Sequence, residues 1–320
     1  MNNLSNGPLN NNLEDEINLG ELLYALWKNK FYIGAITSIF ALISIVYALM
    51  LPNIYMSKAI MLSVESSSGG MSSMMGQYSG IAGLAGITLP SESTSRSQEA
   101  IARIQSFEFF SNHFLPLIKL ENLLAVKKWN QASNILVYDK SKFNSTLGQW
   151  VQKARPPQSI IPSSQVAYET YKQIISIGEN KKTSFVTLSV EHESPFIAQQ
   201  WVEIIINKID DVMRDEDKRK AMKSVNYLNS LTPTINYEEI KKALSSLQQE
   251  QMKKLMMVEA SENYIFKILE PPIVPEMKST PLRSLIVIIA SLLGMMFGSL
   301  ITLALHYSKK SSEHNESNSQ

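Results

Sequence analysis

The sequence predicts an α+β membrane protein in which two transmembrane helices flank an extracytoplasmic α/β base with a long helical-hairpin extension. Three observations predict it. Uncharged apolar stretches stand near both ends of the chain, Phe31 to Leu51 and Ser284 to Leu305. Segments of period-two alternation open, divide and close the interval between them. From Ser194-Pro195 onward, two long segments of helical period follow one another around a proline break.

The composition narrows the choice of function. The chain has 320 residues, with Lys+Arg 30 against Asp+Glu 29 and a net charge of +1, so no global field recommends nucleic acid or an acidic substrate as partner. It has no cysteine, which removes disulfides, thiolate metal sites and cysteine nucleophiles together and suits an oxidising compartment.

Residues 1–12 are Asn-rich and read as a disordered tail. From Glu14 to Lys30, Ile17, Leu19, Leu22, Leu23, Leu26 and Trp27 recur at roughly helical spacing, which fits either an amphipathic surface helix or the start of the helix that follows. The expected organisation is a cytoplasmic tail and amphipathic helix over 1–30, a first span over 31–51, a large domain over 52–283, a second span over 284–305 and a second cytoplasmic tail over 306–320. The second stretch holds 22 uncharged residues, which at about 1.5 Å per residue matches the roughly 30 Å bilayer core. Lys28 and Lys30 before the first span, with Lys309 and Lys310 after the second, favour cytoplasmic termini.

Small residues mark one face of each span. Ser291, Gly294, Gly298 and Thr302 lie three or four apart, and Gly34, Ser38, Ala41, Ile45 and Ala48 form a partly small face on the first span that could meet them.

In the large domain, Ile54, Met56, Ile60, Leu62 and Val64 alternate with polar or small residues as a strand, Lys58 interrupting the apolar row. The Gly/Ser/Met-rich segment Glu65 to Ser97 contains Gly80-Ile-Ala-Gly-Leu-Ala-Gly, which lacks a phosphate-loop lysine and GxGxxG spacing; it reads as an apolar loop against a neighbouring subunit or as a linker. Ile101, Ile104, Phe107, Phe110 and Phe114 predict a helix from Ser97 to about Trp129, and 130–162 reads as irregular. A short helix to Ser176 and a strand over 182–192 follow.

Pro195 suits the first turn of a long helix whose face runs through Ile197, Trp201, Ile205, Ile209 and Val212 and resumes at Met222, Val225 and Leu228. The charge run from Arg214 to Lys220 reads as solvated surface, with partner recognition the alternative. Thr232-Pro233-Thr234 breaks the helix, and a return helix over 236–258 carries Ile240, Leu244, Leu247, Gln251, Leu255 and Val258 in one row; the extension covers about 195–260. Tyr264 to Glu270 is a third strand, feeding a stiff, non-helical proline connector into the second span.

No constellation carries catalysis, and no cofactor or metal site is expected. Glu191-His192-Glu193 ends a strand without HExxH spacing, and no nucleophile elbow, phosphate loop or paired acid and base stands out.

The junction Pro272-Ile-Val-Pro275, then Thr280-Pro281-Leu282, then Gly294 and Gly298, resembles the signature of the Wzz-type chain-length determinants, polysaccharide co-polymerases of bacterial inner membranes. Their pattern is Pro-x2-Pro-x4-Ser-Pro-Lys followed by a span with Gly-x3-Gly. Thr280 keeps the hydroxyl, whereas Leu282 replaces the lysine and moves the basic group to Arg283. The runs Lys253 to Pro271, Ser189 to Ala198 and Asp15 to Leu19 are similar to these proteins as well.

The resemblance implies a non-enzymatic regulator of O-antigen or related surface-glycan length, with its large domain periplasmic and both termini cytoplasmic in an inner-membrane, homo-oligomeric ring. Implied partners are further copies of itself, a separate membrane polymerase, the glycan or its lipid-linked repeat units, and the bilayer; nucleic acid is not among them. The motif residues implied to matter for assembly are Pro272, Pro275, Thr280, Pro281, Gly294 and Gly298. Two alternatives stay open: an adaptor for capsule or exopolysaccharide export or for a separate tyrosine kinase, and a periplasmic sensor.

Overall fold

A computed structural model describes residues 24, 26–64, 96–151, 159–231 and 237–317. The Asn-rich start, most of the amphipathic segment, the Gly/Ser/Met-rich segment up to residue 95 and the Thr232-Pro233-Thr234 break lie outside the described residues. The described part is a mixed helix and sheet protein that divides into two units, one formed by the two ends of the chain and one by Pro52–Thr280.

The helices used below are α1 (Lys30–Met50), α2 (Arg96–Ile104), α3 (Ser164–Ile174), α4 (Pro195–Leu231), α5 (Glu238–Ala260) and α6 (Arg283–Ser317). The strands are β1 (Tyr55–Ser63), β2 (Val126–Asn130), β3 (Ile135–Tyr138), β4 (Phe143–Asn144), β5 (Gln149–Trp150), β6 (Ile175–Glu179), β7 (Phe185–His192) and β8 (Phe266–Glu270).

In the first unit α1 packs along α6, and both helices are long and apolar enough to cross a membrane. α6 continues beyond the uncharged stretch to Ser317, where a tail was expected. Nothing between His306 and Ser317 stops a helix, since the stretch has neither Gly nor Pro.

The second unit is built on a four-stranded antiparallel sheet in the order β6-β7-β1-β8. Two of the expected strands, β7 and β8, pair with the third, β1, on its two sides, and β6 joins β7 where the helix before it had been expected to run on to Ser176. Register decides which face is core. Ser57 faces Val190, Ala59 faces Leu188 and Met61 faces Val186, all buried under α4. The row read as apolar from the sequence, Met56, Ile60 and Leu62, lies on the opposite, more open face. Small residues on the inner face let the large side chains of α4, Trp201, Ile205 and Ile209, approach the sheet closely.

The helix expected over 97–129 is several pieces. α2 ends at Ile104; Ser106 then caps a new start, its hydroxyl accepting from Phe109 N at 3.2 Å. A π-helical turn, Phe110–Phe114, follows, and Leu115–Leu117 around Pro116 is 3-10. The register slip turns Phe109 into the core beside Phe110 and Phe114 and leaves Phe107 40% exposed. Trp129, expected at the end of this helix, stands instead in β2. The end of the expected helix and the region read as irregular together hold two small hairpins, β2-β3 and β4-β5.

α4 runs for 37 residues, about 55 Å, and α5 returns along it for 23. Ala221 rather than Met222 turns inward on α4, and Leu247 is 49% exposed on α5, so the inward row there runs through Leu244, Gln248, Gln251, Leu255 and Val258.

Candidate functional site

Among the described residues, the features with most organised chemistry are the contact of the two apolar helices and the root of the hairpin. On α6 the stripe Ser291, Gly294, Gly298 and Thr302 faces α1, with Gly294, Gly298 and Thr302 buried. A Cβ added at Gly294 would sit 2.8 Å from Phe40 Cβ and 3.2 Å from Thr37 Cα, and one at Gly298 would sit 3.3 Å from Ile33 Cα. Glycine is what permits the helices to lie this close. Phe40 and Phe297 stack beside the contact with centroids 6.1 Å apart.

The matching face of α1 differs from the expected one. Ile33, Thr37, Phe40, Ser44 and Ala48 form it, while a Cβ at Gly34 meets nothing within 4 Å and Ser38 and Ile45 are exposed. A side chain without a Cβ was read as an approach point, but the approaching glycines belong to α6 and fit against larger side chains of α1. The hydroxyls inside both helices are satisfied locally: Thr37 donates to Ile33 O at 2.8 Å, Ser291 to Val287 O at 2.8 Å and Thr302 to Gly298 O at 2.7 Å.

At the hairpin root, the run Arg214 to Lys220 is not simply solvated surface. Arg214 Nη1 donates to the carbonyls of Val258 and Ser261, both at 2.7 Å, and its Nη2 to Asp210 Oδ2 at 2.8 Å and Glu262 O at 3.2 Å. The carbonyls left over at the end of α5 are thereby satisfied by a cation, which also complements the helix dipole there. The other oxygen of Asp210 accepts from the backbone N–H groups of Tyr264 and Ile265, at 3.0 and 2.9 Å, as the chain turns into β8.

Tyr264 is held between two guanidinium groups, Arg96 Cζ at 4.8 Å and Arg214 Cζ at 5.3 Å from its ring centre. Its hydroxyl donates to Asp217 Oδ2 at 2.8 Å and accepts from Arg96 Nη2 at 2.9 Å, and Arg96 also pairs with Asp217. Arg103 of α2 pairs with Glu216, and Lys218 with Glu259 of α5. A hydrogen bond from Lys220 and the charge of Arg103 hold the Glu216 carboxyl below its ordinary range. Three segments therefore converge on one turn of α4. A cleft of about 430 Å³ lies beside it, lined by Asn207, Asp210, Asp211, Arg214 and Asn263 among others.

His192 anchors the start of α4. It is 5% exposed, its Nε2–H donates to Asn122 O at 2.9 Å, and its Nδ1 accepts from Ser194 N at 2.8 Å. Only the neutral ring can make both bonds, and burial lowers its pKa accordingly. Strand alternation sends Glu191 to the opposite face, opposite Met56, so the Glu-His-Glu sequence is not gathered into a ligand set.

The motif residues of the proline connector are placed separately. Pro272 is buried, and its carbonyl accepts from Gln199 Nε2 at 3.5 Å; Pro275 is partly exposed. Thr280 forms a bridge to Ile54, donating to and accepting from its backbone at 3.3 and 3.0 Å. The connector is non-helical from 271 to 279, and Ser57 Oγ donates to Ile273 O at 2.8 Å. Pro281 is partly exposed in the other unit. The hairpin root went unread in the sequence, although Asp210 and Arg214 at i,i+4 inside a helix were a signal for it.

Residues 15–111 match the family described as chain length determinant protein, Wzz. No curated protein matches the sequence. Among solved structures, a full-length bacterial polysaccharide co-polymerase is similar at 16% identity and a TM-score of 0.38, over 91% of this chain and 98% of that one. A fragment of the WzzB polysaccharide co-polymerase from Salmonella Typhimurium is similar at 11% identity and a TM-score of 0.28, over 71% of this chain and 100% of its own. A mutant of the Shigella flexneri lipopolysaccharide O-antigen chain-length regulator is similar at 12% identity and a TM-score of 0.21, over 71% and 100%. The match over residues 15–111 agrees with the resemblance to the chain-length determinants read from the sequence, and the junction motif from Pro272 to Gly298 lies outside the matched residues.

Proposed function

We propose that the protein regulates the chain length of a surface polysaccharide, O-antigen or a related glycan, without catalysing its synthesis. The observation that carries this reading is the chain-length-determinant match over residues 15–111, which covers α1 and β1. In this reading α1 and α6 cross the bacterial inner membrane, the unit Pro52–Thr280 is periplasmic and both termini are cytoplasmic, and copies of the chain assemble beside a separate polymerase. Pro272, Pro275, Thr280, Pro281, Gly294 and Gly298 then act by fixing backbone and helix geometry. The packed Gly294 and Gly298 contacts and the Thr280 bridge support that role.

The test is the glycan ladder of a strain lacking the gene, with and without the chain restored. Loss is expected to broaden the length distribution while synthesis continues, and restoration to return a modal length. A ladder unchanged by deletion overturns the proposal.

A further inference from the structure

The two hairpins β2-β3 and β4-β5 lie beyond the matched segment, and the reading above gives them no task. Their charge is unlike that of the whole chain. Residues 119–151 carry Lys119, Lys127, Lys128, Lys140 and Lys142 against Glu121 and Asp139, a net +3 in a protein whose total is +1. All five lysines are exposed. The fields of Lys142 and Lys127 both reach Asp139, whose carboxyl is held low chiefly by hydrogen bonds from Ser141, so these lysines share one locality. Apolar side chains stand out to solvent on the same hairpins, Ile135 at 61% and Leu147 at 66% exposure.

Aromatic contacts join the hairpins to each other and to the sheet. Tyr138, Phe143 and Trp150 contact edge to face at 5.4 Å, so β3, β4 and β5 share one aromatic seam. Trp129 of β2 packs edge-on against Tyr55 at 5.6 Å and against Phe196 at 6.1 Å. Tyr55 follows Leu51, the C-cap of α1, by four residues, and four residues of any chain reach at most about 14 Å.

We infer that the β2-β3 and β4-β5 hairpins form a docking surface for anionic phospholipid headgroups, with Lys127, Lys128 and Lys140 facing phosphate and Ile135 and Leu147 entering the interface. Clustered lysines with protruding apolar side chains are the chemistry by which proteins lie on a charged bilayer surface. The inference rests on α1 being a membrane span, though not on any role in glycan length.

The absence of cysteine permits a direct test. Full-length protein with a single fluorophore at Ile135→Cys or Leu147→Cys is placed in nanodiscs whose lipid headgroups carry a quencher. Controls carry the label at Met50→Cys, at the end of α1, and at Tyr227→Cys on α4. Quenching at both hairpin positions is expected to exceed that at Tyr227→Cys by about threefold in anionic discs. It should fall toward the Tyr227→Cys level in zwitterionic discs, or when Lys127, Lys128 and Lys140 become Gln. Lys142 is left intact because its ammonium holds Leu124 O. Hairpin labels quenched no more than Tyr227→Cys, with Met50→Cys quenched, overturn the inference alone; an unquenched Met50→Cys overturns the span reading as well. Quenching indifferent to lipid charge and to the lysines also overturns it, leaving a merely proximal loop.

Discussion

The Cα of Gly294 faces Phe40 so closely that an added Cβ would lie 2.8 Å from the Cβ of that side chain. The clash is with the root of a side chain, which cannot swing away as a tip could. Gly294→Ala should therefore cost about 1–3 kcal/mol of helix-pair stability. Gly298→Ala, with its nearest neighbour at 3.3 Å, should cost less, and Gly34→Ala, with nothing within 4 Å, essentially nothing. Thermal unfolding of the full chain in detergent ranks the three. An equal response at Gly34 and Gly294 would show that the helices do not meet on this stripe.

The clamp at the hairpin root gives a second expectation. Arg214→Met keeps most of the apolar stem but strands the carbonyls of Val258, Ser261 and Glu262 and leaves Asp210 without its cation. Loss of about 2–4 kcal/mol is expected, because hydrogen bonds to a charged group are the strong ones and their unpaired remainders are costly. Asp210→Asn should cost less, since an amide oxygen can still accept from Tyr264 N or Ile265 N. Hydrogen exchange should accelerate selectively over 258–266 in Arg214→Met; uniform acceleration along the chain would count against a local clamp.

His192 sets a pH dependence. Its folded pKa lies below the unfolded value of about 6.5, so the unfolded chain binds the extra proton first and stability falls as pH drops through and below 6.5. The neighbouring carboxylate of Glu193, 3.9 Å from Nε2, softens this without reversing it. His192→Gln should be less stable at pH 7.5 but should lose less between pH 7.5 and pH 5.5 than the parent. Parallel unfolding curves at the two pH values for both proteins would remove His192 from the account.

How much was legible in the sequence follows from the range of the forces involved. Helix and strand periodicity is local, so both apolar helices, the α4-α5 pair and three of the four sheet strands were readable. The burial side of β1 was not, because Ser57, Ala59 and Ser63 are buried by what α4 brings to them and not by their own hydrophobicity. The same holds at Arg214 and Asp217. A charge run looks solvated until partners 44 to 47 residues away, Val258, Ser261 and Tyr264, fold back onto it. Gly294 and Gly298 were readable as a close-approach stripe, whereas their counterpart on α1 depends on helix rotation, which the spacing of small residues does not fix.

The proline junction supplies the last prediction, since Thr280 and Leu282 are where this chain differs from the chain-length-determinant pattern that the junction resembles. Thr280 engages Ile54 through backbone atoms alone: Ile54 N donates to its carbonyl at 3.0 Å, and Ile54 O receives the N–H groups of Ser279 and Thr280 at 2.8 and 3.3 Å. A side-chain change at Thr280 leaves that ladder intact, and Leu282 is 61% exposed. Thr280→Ala and Leu282→Lys should both leave stability within about 0.5 kcal/mol of the parent. Ile54→Pro removes the N–H that donates to Thr280 and should cost about 1–3 kcal/mol. If the junction acts on glycan length through its backbone, the modal length should be preserved in the first two variants and lost in Ile54→Pro. A shifted modal length in Leu282→Lys with unchanged stability would instead assign the junction a direct role for the side chain at that position.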